Sequence, residues 1–94
     1  MKIRQEYGNA NCVGRTICEL RRKHNMKQKD LLAKMQTNGV DIGETSLSML
    51  EGQFRAATDK ELWALAEIFG VAIEDLYNKD DFEVPDAKTK NDWG

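Results

Sequence analysis

Apolar residues recur at helical spacing along most of the chain, and no alternation of apolar and polar residues is long enough to indicate a sheet. In the first such segment, Val13, Ile17, Leu20 and His24 are spaced as one stripe along a helix. The pattern predicts an all-α chain with five short helices. Their approximate bounds are 12–24, 28–36, 44–52, 58–70 and 73–77.

Local signals mark the ends of these predicted helices. Asn11 is a candidate N-cap of the first helix, and Thr58-x-x-Glu61 is a capping box that begins the fourth. Gly70 stands where a C-terminal glycine belongs. Between the second and third helices, the turn-forming residues are Asn38, Gly39 and Gly43, and the short extended piece is Val40 and Ile42.

The third predicted helix lies within the segment GETSLSMLEGQFR, residues 43–55. Leu47 and Leu50 give it one apolar edge, and small or polar side chains cover most of the remainder. Either this outer face is merely solvated, or it contacts a partner. Polar residues on a surface helix are usually only solvated, so this pattern alone does not indicate DNA binding.

The order of several positions resembles one known family. The strings VGRTICELRRKHNMKQKDLLAKM and SLSMLEGQFRAATDKELWALAEIFGVAIEDLY, within residues 13–77, are similar to the lambda-repressor-like (Cro/XRE-type) helix-turn-helix family. The positions that carry the match are Ile17, Leu20, Arg21, Gln28, Leu31, Leu32, Met35, Leu47, Ser48, Leu50, Glu51, Arg55, Asp59, Glu61, Leu62, Leu65, Ala66 and Val71. The resemblance implies a compact five-helix domain, which we place at residues 12–78 after a flexible N-terminal arm, 1–11. After Asn78 the chain has the only proline, many charges and few apolar residues, which predicts an acidic, flexible tail over 79–94.

The chain departs from the family pattern at three places. The joining segment 36–44 is longer than in the compact phage repressors. Gly52-Gln53 stands where the family usually has Asn-Gly, and Ala72 stands where Ser or Thr normally caps the last helix.

A helix that buries Leu47 and Leu50 directs other side chains outward, towards a major groove in the family's binding mode. The predicted base-contacting residues are Glu44, Thr45, Ser48 and Met49. The predicted phosphate-contacting residues are Lys27, Gln28, Lys29, Ser46 and Arg55, with Lys34 as a further flanking cation. The resemblance also implies a structural ion pair between Arg21 and Glu51.

Composition limits the range of functions. A chain of 94 residues makes one small domain that buries about 60–65% of its unfolded surface, which leaves little room for a deep substrate pocket. Residues 1–55 carry ten basic and six acidic residues, a net charge of +4, while residues 56–94 carry four and ten, a net charge of −6. Such a chain can offer a basic face to a polyanion or an acidic face to a protein.

Other chemistry finds little support in the sequence. Cys12, Cys18 and His24 would face different sides of one helix, so no metal site is predicted. No nucleophile–base pair, phosphate-binding glycine loop or cofactor motif is present, so neither an enzyme nor a cofactor is expected. The beginning of the chain lacks the apolar core of an export signal, and no run reaches the ~20 apolar residues of a membrane span. We therefore expect a cytoplasmic protein without a membrane contact.

Three features remain open to two interpretations. Lys2 and Arg4 form either a groove-binding arm or a frayed terminus. Trp63 either covers the edge of the core or belongs to a dimer contact. The tail is either flexible or docks on a partner through its apolar residues, which are Phe82, Val84 and Trp93.

The sequence thus predicts a transcriptional regulator, in the simplest case a repressor, that binds double-stranded DNA as a homodimer. The alternative is a protein-interaction module on the same fold, similar to an antitoxin or an anti-repressor, whose acidic C-terminal half binds a protein partner.

Overall fold

Helical spacing in the sequence corresponds to four α-helices and one 3₁₀ helix in a computed structural model of the protein, which describes residues 7–78. The α-helices are α1 (Gly14–Lys23), α2 (Gln28–Thr37), α3 (Glu44–Glu51) and α4 (Asp59–Phe69). The fifth predicted helix is a 3₁₀ helix of 4 residues, Ile73–Leu76. Residues 7–78 contain no strand, so the predicted all-α class is confirmed and the extended piece at Val40 and Ile42 is not part of a sheet.

One apolar core joins the helices. Helix α3 packs against α1 and α2, and α4 packs against α2 and the 3₁₀ helix. The core is formed by Val13, Ile17, Leu31, Met35, Ile42, Leu47, Leu50, Leu65, Ala66, Phe69 and Leu76. Each α-helix contributes to this core the apolar stripe that its sequence spacing predicts.

The predicted caps are present at both ends of α4. The Thr58 hydroxyl accepts from the Glu61 amide at 3.2 Å, and the Glu61 carboxylate accepts from the Thr58 amide at 2.9 Å. Gly70 ends the helix in the left-handed conformation, with φ of 68°. This reciprocal capping box satisfies two amides that would otherwise lack an intrahelical partner.

Asn11, the predicted N-cap of the first helix, lies two residues before the actual N-cap position, Val13, and it ties the start of α1 to α3. Its Oδ1 accepts from the amides of Val13 and Gly14, both at 2.9 Å, although the regular helix begins only at Gly14. Its Nδ2 donates to the carbonyls of Leu50 and Arg55, at 3.1 and 2.8 Å. The predicted cap therefore holds the start of α1 against the end of α3.

Gln53 occupies the position where the related pattern has glycine, and its backbone is left-handed, with φ of 65°. This conformation is unfavourable for a residue with a Cβ. The side chain is buried, accepts from the Arg15 amide at 3.2 Å and donates to the Asn11 carbonyl at 2.7 Å. These hydrogen bonds offset the backbone strain and explain why glutamine is compatible with this turn.

No helix in the described part of the chain is long and apolar enough to cross a membrane. The predictions made for Lys2 and Arg4, and for the apolar residues of the tail, fall outside the residues that the structure describes.

Candidate functional site

The outer face of α3 is exposed along its length. Leu47 and Leu50 are completely buried, which turns the opposite side of this eight-residue helix towards solvent. The side chains on the solvent side are the four predicted base-contacting residues, Glu44, Thr45, Ser48 and Met49. Ser46 lies between the two faces and is half-buried.

A buried carboxylate holds the C-terminal end of α3. Glu51 is only 3% exposed, and its Oε2 accepts from Nε of Arg21 at 2.8 Å. Its Oε1 accepts from Nη2 of Arg21 at 3.1 Å and from Nε2 of Gln28 at 3.0 Å. The structure thus brings Arg21 and Glu51 together, and it adds Gln28, so that this one carboxylate joins α1, α2 and α3.

Cys18 is a member of this network that the sequence did not identify. Its Sγ lies 3.4 Å from Oε1 of Glu51, and its side chain is buried. Burial and the neighbouring Glu51 carboxylate raise the pKa of the Cys18 thiol from 9.0 to about 11. The available signal was the spacing of Cys18 and Arg21, which are three residues apart and therefore share one face of α1.

We expect Cys18 to react much more slowly with iodoacetamide than Cys12, which is only half-buried. At pH 8 the raised pKa alone leaves about 100-fold less thiolate than a thiol of pKa 9.0 would have, and burial adds to this protection. Mass spectrometry of peptides after timed labelling measures both rates. Equal rates in the native protein, or no acceleration at Cys18 in urea, would contradict the buried network.

The predicted phosphate contacts at the start of α2 have different surroundings. Lys27 and Lys29 are exposed, and the Lys27 amide is already bound by the Asp30 carboxylate at 2.9 Å. The Gln28 side chain is engaged with Glu51. The Asp30 amide donates to the Lys27 carbonyl at 3.0 Å. A phosphate here would therefore be held by the amides of Gln28 and Lys29 and by the two lysines.

Arg55 has a different environment from the other predicted phosphate contacts. Its side chain is 20% exposed, and its Nη1 and Nη2 donate to the two carboxylate oxygens of Glu61 at 2.9 and 2.7 Å. Its Nε donates to the Ser46 carbonyl at 2.9 Å, and its Nη1 also donates to the Ala56 carbonyl at 2.9 Å. Sequence reasoning missed this pair because Glu61 already had a capping role.

The pKa of the Glu61 carboxyl is below its ordinary value of 4.5. Burial alone would raise this pKa, but the hydrogen bonds from Arg55 and from the Thr58 amide outweigh that effect. The carboxylate is therefore ionised at neutral pH and forms a charge-neutral unit with the guanidinium.

Charge on α3 itself is negative. The helix contains no lysine or arginine, and its two acidic residues are Glu44, which is exposed, and Glu51, which is buried and paired. The exposed cations available from the neighbouring α2 are Lys27, Lys29 and Lys34.

Large aromatic side chains outside α3 are also exposed. Trp63 is 64% exposed and Phe54 is 56% exposed, so most of the Trp63 ring lies outside the core. His24, which the sequence placed at the end of the core stripe, is exposed, and its ring lies 5.3 Å from that of Phe69. Within residues 7–78 no three potential metal ligands are grouped together.

Comparison with known proteins gives no match to a family model, to a curated protein or to a solved structure.

Proposed function

We propose that the protein is a sequence-specific DNA-binding regulator that inserts α3 into a major groove. The observation that carries this proposal is the arrangement of α3, whose exposed face consists of Glu44, Thr45, Ser48 and Met49 while its other face is locked into the core. The helix-turn-helix resemblance of the sequence supports the same conclusion. Repression by exclusion of polymerase from a promoter is the simplest mechanism for such a regulator.

The side chains on this face suit the edges of base pairs. Thr45 and Ser48 can donate or accept a hydrogen bond, and Glu44 can accept from cytosine N4. Met49 is 39% exposed and offers an apolar contact to a thymine methyl group. All four lie on one short helix, so they would meet adjacent base pairs.

Affinity would come from the start of α2. Lys27, Lys29 and the first amides of α2 form a site for a phosphate, which positions the protein but carries no sequence information. A single module with so few cations has modest affinity, and this favours a homodimer on an inverted repeat.

A second candidate function is binding of a protein partner. The observations that favour it are the lack of a cation on α3, the exposed Glu44, and the exposed aromatic side chains of Phe54 and Trp63. A partner of this kind would be basic, because residues 56–94 carry a net charge of −6.

A DNA selection experiment distinguishes the DNA-binding regulator from the protein-binding alternative. We expect the purified protein to enrich one sequence from a random duplex pool and to bind it, in fluorescence anisotropy, about 10³-fold or more tighter than a scrambled duplex. The affinity should fall steeply between two salt concentrations. Equal, weak binding to both duplexes would reject the regulator and favour the protein-binding alternative.

Single substitutions then assign roles on the enriched duplex. Lys29→Ala should weaken binding to the enriched and scrambled duplexes equally and lower the slope of log affinity against log salt by about 1. Thr45→Ala and Ser48→Ala should instead reduce the preference for the enriched duplex, by about 1–3 kcal/mol each where the hydroxyl contacts a base.

Lys60→Ala is the matched control for Lys29→Ala, because both lysines are exposed in the first turn of a helix but Lys60 lies on α4. It should leave the affinity and the salt slope unchanged. If the two lysine variants behave alike, the phosphate site does not lie at the start of α2.

A further inference from the structure

The structure assigns to Arg55 a role that differs from phosphate binding. We infer that Arg55 is a positioning residue, which together with Glu61 fixes the first turn of α3 relative to α4; its effect on DNA affinity rests on the proposed function. The inference starts from the donors of the guanidinium. Within the described residues, four hydrogen bonds use four of its five N–H groups.

The acceptor on α3 lies next to the base-contacting residues. Nε of Arg55 donates to the carbonyl of Ser46, which follows Glu44 and Thr45 in the first turn of this eight-residue helix. Helix α3 packs mainly on α1 and α2. The guanidinium therefore supplies a link from this turn to α4, at the end of α3 opposite to the Glu51 network.

The acceptor on α4 is itself rigidly held. Glu61 is 6% exposed, and its Oε1 also accepts from the Thr58 amide as part of the capping box. A carboxylate fixed in this way holds both terminal nitrogens of Arg55 in a bidentate pair, which is the geometry that constrains a guanidinium most strongly. The link thus runs from the backbone of α4, through two side chains, to the backbone of α3.

The charge of the Arg55–Glu61 pair is an independent argument against phosphate binding by Arg55. Arg55 and Glu61 form a neutral, largely buried pair with side-chain exposures of 20% and 8%. A DNA phosphate would compete for the guanidinium with a carboxylate 2.7 Å away. Binding at such a site would release little of the counterion atmosphere, whereas an open arginine adds about one unit to the salt slope.

Glu61→Gln is the variant that distinguishes the two roles. If Arg55 binds a phosphate, removal of its carboxylate partner frees the guanidinium, and affinity for DNA stays equal or rises. If Arg55 positions α3, the looser first turn lowers affinity for the enriched duplex, by about tenfold, while affinity for the scrambled duplex and the salt slope stay the same. Fluorescence anisotropy at several salt concentrations measures all three quantities.

Asp59→Asn is the matched control, because it removes an exposed negative charge from the same turn of α4 without touching Arg55. It should leave the preference for the enriched duplex intact.

Arg55→Lys is the second variant, for the case that Glu61→Gln does not fold. Lysine keeps the positive charge but cannot form the bidentate pair with Glu61, so a positioning role predicts weaker binding to the enriched duplex. Retention of wild-type binding would overturn the inference.

A measurement without DNA separates this inference from the proposed function. In α3 the Leu50 amide pairs with the Ser46 carbonyl, and Arg55 holds that carbonyl. Amide hydrogen exchange at Leu50 should therefore accelerate in Glu61→Gln and stay unchanged in Asp59→Asn. Unchanged exchange in Glu61→Gln overturns the positioning role, and absence of DNA binding by the wild-type protein overturns only the proposed function.

Discussion

Replacement of Glu51 by alanine is expected to lower the free energy of unfolding by about 3–5 kcal/mol. The carboxylate is 3% exposed and accepts two hydrogen bonds from Arg21 and one from Gln28. Its removal leaves a largely buried guanidinium without its counter-charge at the contact of three helices. Urea denaturation at pH 7, followed by far-UV circular dichroism, measures the loss.

Two further variants test the origin of this effect. Glu51→Gln keeps the side-chain volume and one acceptor oxygen but removes the charge, so its loss of stability should lie between those of the wild type and Glu51→Ala. Glu67→Ala removes an exposed glutamate of α4 and should change stability by no more than about 0.5 kcal/mol. A loss below about 1 kcal/mol for Glu51→Ala would mean that this network does not hold the helices together.

The Arg21–Glu51 ion pair was anticipated only through the family resemblance, whereas the helices and their ends were anticipated from local patterns in the sequence. The helices followed from apolar spacing, and their ends followed from local signals such as Thr58, Glu61 and Gly70, because a cap is formed by residues close along the chain. The exposed face of α3 followed from the burial of Leu47 and Leu50. The last helix was predicted in the right place, but only a 3₁₀ helix forms there.

Contacts between elements could not be derived in the same way. The Cys18 thiol meets Glu51, 33 residues along the chain, only because α1 and α3 cross at that point. Arg55 and Glu61 pair across the segment that joins α3 to α4, and the sequence had already assigned Glu61 to the capping box of α4. Because the capping box already accounted for Glu61, there was no reason in the sequence to pair it with a second partner. Arg55 was therefore predicted to be an unpaired cation.

The three anchors of α3 explain how so short a helix can present a defined surface. Arg21 holds the carboxylate of Glu51, the last residue of α3. Arg55 holds the Ser46 carbonyl in the first turn, and Asn11 holds the Leu50 carbonyl. An isolated helix of eight residues is unstable in water, so its order comes from these tertiary contacts and from the core. Preorganisation of this kind lowers the entropy lost when a surface binds a rigid partner such as a DNA groove.

Gly14→Ala is expected to destabilise the protein by about 3 kcal/mol, although alanine normally favours a helix over glycine by about 1 kcal/mol. A Cβ at this first residue of α1 would lie 2.5 Å from the Glu51 carbonyl oxygen and 2.8 Å from that of Leu50. Both atoms belong to the backbone of α3, so no side-chain rotation can relieve the contact. Helix α1 would have to move away from the end of α3, which also strains the Arg21–Glu51 pair.

The same substitution at another glycine provides the control for the denaturation measurement. Gly43 precedes α3 with a negative φ of −103°, and a Cβ there would meet nothing within 4 Å. Gly43→Ala should therefore change the free energy of unfolding by about 1 kcal/mol or less, the cost of an unfavourable N-cap. If Gly14→Ala were as stable as Gly43→Ala, the close approach of α1 to the end of α3 would be wrong. The placement of the Glu51 network would then be wrong as well, because Arg21 and Cys18 contact the Glu51 carboxylate from α1, the helix that begins at Gly14.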